Sequence, residues 1–332
     1  MANTIQSFFT YTSPLPQERI STINCLAFNE SGTLLATGSY DIVKLFSIDG
    51  DSIIHITQWK PSINKILSVA FNPSGTILAV GSEVNIHLYN ILYEKRSVTN
   101  LKIPNGVFSS VKSIAFDSTG KFLAFISKED SITFWKITYD SSGTCTDILS
   151  IATFQTDGAY FSSLVFQPRT NPPLLVCSKF NSLEYFELST KDFEEWEAKI
   201  IHSTIIFEHG NIINKIDFHK KINLPLLAAV TDNKLKLFYC NNPIDISEKA
   251  SVPANENSTR CISVAFHPSE LFLVTGYWDN TAKLWSISSD YRNLTCIANL
   301  SRGEERNSGV TPTEKKNETK IYKNKKLLIL SK

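Results

Sequence analysis

Long apolar runs are missing from this chain of 332 residues, and without one no segment reads as a membrane-spanning helix. The N-terminus shows no basic, then apolar, then small-residue leader, so the expectation is a cytoplasmic protein, with nuclear residence as the alternative. An excess of one charge is absent too: 33 Lys and Arg stand against 32 Asp and Glu, a net of +1. That balance argues against a chain that binds nucleic acid or membrane with its whole surface. Cysteines at metal or redox spacing do not occur. The six thiols (Cys25, Cys145, Cys177, Cys240, Cys261 and Cys296) are scattered, several inside predicted strands. There a free thiol behaves as a small buried apolar group, which fits a reducing compartment. A single methionine points to a rigid interior of Phe and Ile.

Signatures of catalysis are equally scarce. The chain has no GxSxG nucleophile turn, no HExxH, no GxxxxGK[ST] phosphate loop and no GxGxxG. Its six histidines (His55, His87, His202, His209, His219 and His267) share no common spacing, and His219 and His267 fall in turns where solvent is expected. The expectation is therefore a non-enzyme without cofactor or bound metal.

Apolar side chains, in contrast, make up 42% of the chain and aromatic ones 11%, ample for a sizeable core. They are arranged in a repeat. Residues 262–288, ISVAFHPSELFLVTGYWDNTAKLWSIS, are echoed almost step for step by residues 23–48, INCLAFNESGTLLATGSYDIVKLFSI. Aligned on one phenylalanine, six copies place Phe28, Phe71, Phe116, Phe166, Phe218 and Phe266 at intervals of 43, 45, 50, 52 and 48 residues. Each copy runs from an alternating stretch through a turn rich in Pro, Ser or Gly to an apolar run. A tight turn and a last alternating stretch follow, ending on Phe46, Tyr89, Trp135, Phe186, Phe238 or Trp285.

Period-two alternation bounded by turn residues reads as β-strands joined by hairpins. Three such strands per copy, with a variable fourth in the linking segment, make a twisted antiparallel sheet. One sheet of this size cannot bury both faces, so the copies must stack face to face, and a radial stack leaves only short edges. The fold class expected is all-β, one β-propeller domain over residues 1–300. Within it the six clear copies span 20–288.

The chain resembles the WD40-repeat propellers, most closely in TGYWDNTAKLW (275–285) and TGSYDIVKLF (37–46), and the resemblance covers residues 20–288. In that family a His, a Ser or Thr, an Asp and a Trp often knit a blade together. The resemblance implies structural roles for His209 and Asp232 in the fifth copy, Thr275, Asp279 and Trp285 in the sixth, Thr37 and Asp41 in the first, and Trp135 in the third. No copy has all four residues, so apolar packing is expected to carry stability. Closure of the ring is expected at seven blades, the last incomplete: partial strands at 321–322 and 326–331, joined by an N-terminal strand at 5–11. The alternative is six blades with 301–332 as a basic tail, in which residues 302–332 hold nine Lys and Arg against four Glu. Three long polar linkers, 138–158, 189–210 and 240–259, are read as outer strands. The second could instead show Phe193 and Trp196 among acidic residues as a contact site.

The resemblance also implies a function: a scaffold or adaptor that binds a protein or peptide across its top face. That face is formed by the loop leading into each first strand and by the turn between second and third strands. Trp278, Arg260, Tyr160 and Tyr40 occupy those positions and suit an interface, because aromatic and Arg side chains bring large area and a polar handle. Lys65, Lys128 and Lys179 occupy them too, and would favour an acidic or phosphorylated partner. Two other classes stand beside this reading. One is a chromatin- or nucleic-acid-associated adaptor that uses the basic C-terminal segment for phosphate contacts; the other, less favoured, is a propeller hydrolase.

Overall fold

A computed structural model describes residues 23–49, 52–61, 64–104, 110–127, 131–155, 159–191, 195–220, 225–254, 259–267, 270–279 and 281–300. Blade 1 holds β1 (Cys25–Phe28), β2 (Leu34–Gly38), β3 (Val43–Asp49) and β4 (Ser52–Trp59). Blade 2 holds β5 (Ile66–Phe71), β6 (Ile77–Ser82), β7 (Ile86–Leu92) and β8 (Ser97–Asn100). Blade 3 holds β9 (Val111–Phe116), β10 (Phe122–Ser127), β11 (Ile132–Tyr139) and β12 (Cys145–Phe154). Blade 4 holds β13 (Phe161–Phe166), β14 (Leu174–Lys179), β15 (Ser182–Lys191) and β16 (Glu195–Ile205). Blade 5 holds β17 (Lys215–Phe218), β18 (Leu226–Val230), β19 (Lys234–Cys240) and β20 (Ile246–Pro253). Blade 6 holds β21 (Cys261–Phe266), β22 (Phe272–Tyr277), β23 (Ala282–Ile287) and β24 (Leu294–Leu300). Each blade is an antiparallel meander of four consecutive strands.

Local chemistry sets the first hairpin. In blades 1 to 3 the carboxamide or carboxylate of Asn29, Asn72 and Asp117 accepts the backbone N–H of Leu34, Ile77 and Phe122, at 2.9, 2.9 and 2.8 Å. Short polar side chains that bond their own turn backbone favour such bends. Gly32, Gly75 and Gly120 take the positive φ the turn requires (71°, 73° and 74°). At the other end of the blade, the pairing of third and fourth strands slips by one residue beside Phe46, Trp135, Phe186, Phe238 and Trp285. A bulge of this kind bends the strand and increases its twist.

Packing follows from two-sided burial. Strands β6 and β10 are buried at every residue, as is β18, because a neighbouring blade covers each face. That is why they read as continuous apolar runs rather than alternating ones. The closing aromatics all lie in the core, from Trp135 at 0% exposure to Phe46 at 8%. Burial of one such side chain stabilises by about 1.5–3 kcal/mol. Five apolar clusters each join two consecutive blades, from blade 1 with blade 2 to blade 5 with blade 6.

Several expectations change here. The described residues form six blades, so seven blades are not supported among them. The strand expected at 5–11 and the segment 301–332 lie outside the described residues. The three polar linkers do contain outer strands, β12, β16 and β20. Trp196, on β16, is not the open contact site considered for it: its ring lies 4.6 Å from that of Phe122, with the Lys136 ammonium 5.4 Å from its centroid. Phe193 lies outside the described residues. His219, expected in solvent, is 1% exposed and edge-on to Phe266.

Candidate functional site

The loops leading into the first strands and the turns between second and third strands meet at one end of the molecule through backbone hydrogen bonds. Within a blade, Glu83 N–H donates to Lys65, Phe180 N–H to Tyr160 and Trp278 N–H to Arg260. Between blades, Ile66 N–H donates to Ser39 and Tyr40, Ile213 N–H to Phe180 and Cys261 N–H to Asp232. This lacing makes a continuous top face out of residues remote in sequence.

On that face the interface candidates fall into three groups. Tyr160 (42% exposed) stands beside Phe180 (45%) with ring centroids 6.5 Å apart, and Lys112 lies 5.1 Å from the Tyr160 centroid. Ile212, also exposed, extends this patch onto blade 5. Trp278 and Arg260 form the second group on blade 6, and Arg260 Nε reaches Asp232 of blade 5 at 3.4 Å. Tyr40, as exposed as Trp278, stands alone at the junction of blades 1 and 2. The pairing of Tyr160 with Phe180 was not read from the sequence. Phe180 occupies a two-residue hairpin tip at φ 50°, a conformation usually left to Gly or Asn, and only its position one residue past Lys179 hinted at it.

Lys179 is ion-paired with Glu184, and its ammonium sits 5.8 Å from the Phe161 centroid. Lys65 lies on blade 2, and Lys128 is outside the described residues.

The residues expected to knit the blades meet different fates. In blade 6, Trp285 Nε1–H donates to Thr275 Oγ1 at 2.9 Å, and Thr275 is bonded to the Tyr277 hydroxyl at 2.9 Å. Tyr277 in turn donates to the Ala254 carbonyl at the end of blade 5. The Trp–Thr pair of blade 6 is thus extended to blade 5 by a tyrosine that the sequence pattern did not single out. Asp279 stays outside it, exposed, accepting from Thr281 N–H at 3.0 Å and Thr281 Oγ1 at 2.6 Å. In blade 5, Asp232 accepts from Asn214 Nδ2 of the same blade at 2.9 Å, and its pair with Arg260 ties that blade to the start of blade 6. His209 is exposed in a turn, without a side-chain hydrogen bond to another described residue, so it knits nothing there. In blade 1, Asp41 pairs with Lys60 at 2.8 Å, while Thr37 lies in register between Leu26 and Lys44. Trp135 is fully buried edge-on to Phe125.

Chemically the interior is quiet. Burial pushes the thiols of Cys25, Cys240 and Cys261 up to about 12, and that of Cys177 well above its ordinary value, so none is a ready nucleophile. Among the described residues no group of three or more His, Cys, Asp or Glu is placed to hold a metal ion. No described helix is long and apolar enough to cross a membrane.

Six radially stacked meanders with a laced top face define an all-β propeller. The WD40 family model (WD domain, G-beta repeat) matches residues 16–47 and 249–286. Among solved structures the chain is similar to the WD40 repeats of RRP9, at 15% identity, 86% coverage of this chain, 82% of that chain and a TM-score of 0.62. It is similar to U3-55K as well, at 15% identity, 86% and 83% coverage and a TM-score of 0.61. No curated protein matches the sequence. The chain thus carries two matches to the WD40 repeat model and shares the propeller fold of those WD40 structures.

Proposed function

We propose that this protein is a non-catalytic interaction scaffold that docks a peptide or protein domain across its top face. The observation that carries this reading is the set of large side chains held open there: Tyr160 and Phe180 with Ile212, Trp278 with Arg260, and Tyr40. Exposed aromatics on rigid turns offer area without the entropic cost of ordering a loop. The WD40 fold and the high pKa of the buried thiols agree with a binding role rather than a chemical one. The ion pair at Lys179 turns the reading toward apolar and aromatic anchoring and away from a phosphate-centred one.

The test is comparative affinity capture with the wild-type chain and with Tyr160→Ala/Phe180→Ala and Trp278→Ala variants. Each variant should retain its thermal unfolding midpoint and lose at least ~10-fold in recovery of a specific co-purified protein. Identical recoveries from all three would remove the top face from consideration.

A further inference from the structure

Three residues before the repeat phenylalanine, the inner strands carry Cys25, Ser68, Ser113, Ser163 and Ser263, and in blade 5 alone a long cation, Lys215. One residue before that phenylalanine blade 5 departs again, with Asp217 where the other five copies have Ala or Val. Successive side chains of a strand point to opposite faces. Ile216 and Phe218 pack back against blade 4, so Lys215 and Asp217 point forward to blade 6.

The serines at this position join one blade to the next. Ser113 accepts from Leu164 N–H of blade 4 at 3.3 Å, and Ser163 accepts from Ile216 N–H of blade 5 at 3.4 Å. The matching donor of blade 6 is the Val264 N–H, which finds Lys215 in the place of a hydroxyl oxygen. Phe266 N–H donates to Asp217 at 2.8 Å, out of its own sheet, and Val264, two residues earlier on β21, turns its N–H to the same side. An ammonium offers three donors and no acceptor. Two donors therefore stand at one junction, and among the described residues neither has an acceptor.

Electrostatics point the same way. Burial lowers the pKa of Lys215 below its ordinary value, the mark of an ammonium whose lost hydration the protein does not replace. Lys65 of blade 2 acts together with Lys215 on the Cys25 thiol, so a second cation shares this space. Asp217, whose charge acts on Lys215, already accepts from Phe266 N–H.

We propose that the junction of blades 5 and 6 beside the propeller axis is a carboxylate-binding site, in which the Lys215 ammonium and the Val264 N–H hold one oxyanion between them. Asp217, two residues along the same face, repels a doubly charged group, so the site takes a singly charged carboxylate in preference to a phosphate dianion. A small organic acid and an acidic side chain of a docked peptide present that same group.

Amide NMR titration of the full chain with sodium propionate, against sodium chloride at equal ionic strength, tests this at Val264. Its amide should shift in a saturable way with propionate alone. Lys215→Met, with its unfolding midpoint retained, should weaken the response at least ~10-fold, and Lys215→Arg should keep it. A Val264 amide in the wild-type chain that ignores propionate, or responds equally to chloride, overturns the proposal without any variant. An undiminished response in Lys215→Met overturns it too, since binding would then not involve the ammonium. Methyl phosphate binding more tightly than propionate would overturn the choice of a carboxylate. Tighter binding of N-acetylglutamic acid α-amide than of propionate supports the site and assigns it to a peptide side chain; the reverse order supports it and assigns it to a free acid.

Discussion

Tyr277 shows how one residue outside the expected set can link two blades. Its hydroxyl accepts from Thr275 and donates to Ala254, so indole, threonine, tyrosine and carbonyl form a fully satisfied chain across the junction of blades 5 and 6. Removing the middle of such a chain strands buried polar groups at both ends. Tyr277→Phe should therefore cost about 1–3 kcal/mol in urea unfolding although it deletes one oxygen and no apolar surface. Trp285→Ala, which opens a cavity as well, should cost about 3–5 kcal/mol. A Tyr277→Phe variant as stable as the wild type would mean that the hydrogen-bonded chain contributes nothing of its own. The sequence singled out Thr275 and Trp285 through a resemblance, but Tyr277 was legible only as an apolar-run residue. Its partner, Ala254, offers a backbone carbonyl that no side-chain pattern can reveal.

At the scale of the element, the first hairpins of blades 1 to 3 were legible because their turn residues act locally. Asn29, Asn72 and Asp117 each bond a backbone five residues on, and a glycine three residues past each takes the positive φ. Gly75 has an added constraint, since a Cβ there would come within 2.9 Å of the Asn29 side chain of the neighbouring blade. Gly143 has a similar φ of 80° with nothing within 4 Å. Both Gly→Ala variants pay for the left-handed backbone, about 1 kcal/mol. Gly75→Ala should lose measurably more in thermal unfolding, because it also pushes on blade 1. Matching losses would show that the close approach between blades has no energetic consequence. The hairpin at Phe180 was harder to read. A phenylalanine at φ 50° breaks the local rule, and its cost is met by contacts from Tyr160 and Ile213 that lie far away in the chain.

For the whole molecule, stability depends on faces rather than on any one bond, and this governs its response to acid. Burial lowers the imidazoles of His87 and His219 below their ordinary 6.5, so the folded chain holds both neutral. As pH falls through 6.5 the unfolded chain binds protons that the folded chain refuses, and stability present above that value is lost on the way down. The urea midpoint should drop between about pH 7.5 and about pH 5.5, and less in a His87→Gln/His219→Gln variant. An unchanged pH dependence in that variant would show that other groups control acid unfolding. The sequence by itself determined the strand pattern, the six-fold repeat and the turn chemistry, because alternation and turn preference act over a few residues. Tertiary structure decided which repeats touch, how blades 5 and 6 are tied and where Tyr160, Phe180, Arg260 and Trp278 stand open. Those depend on how separate sheets meet, and the contacts that fix them join residues dozens of positions apart.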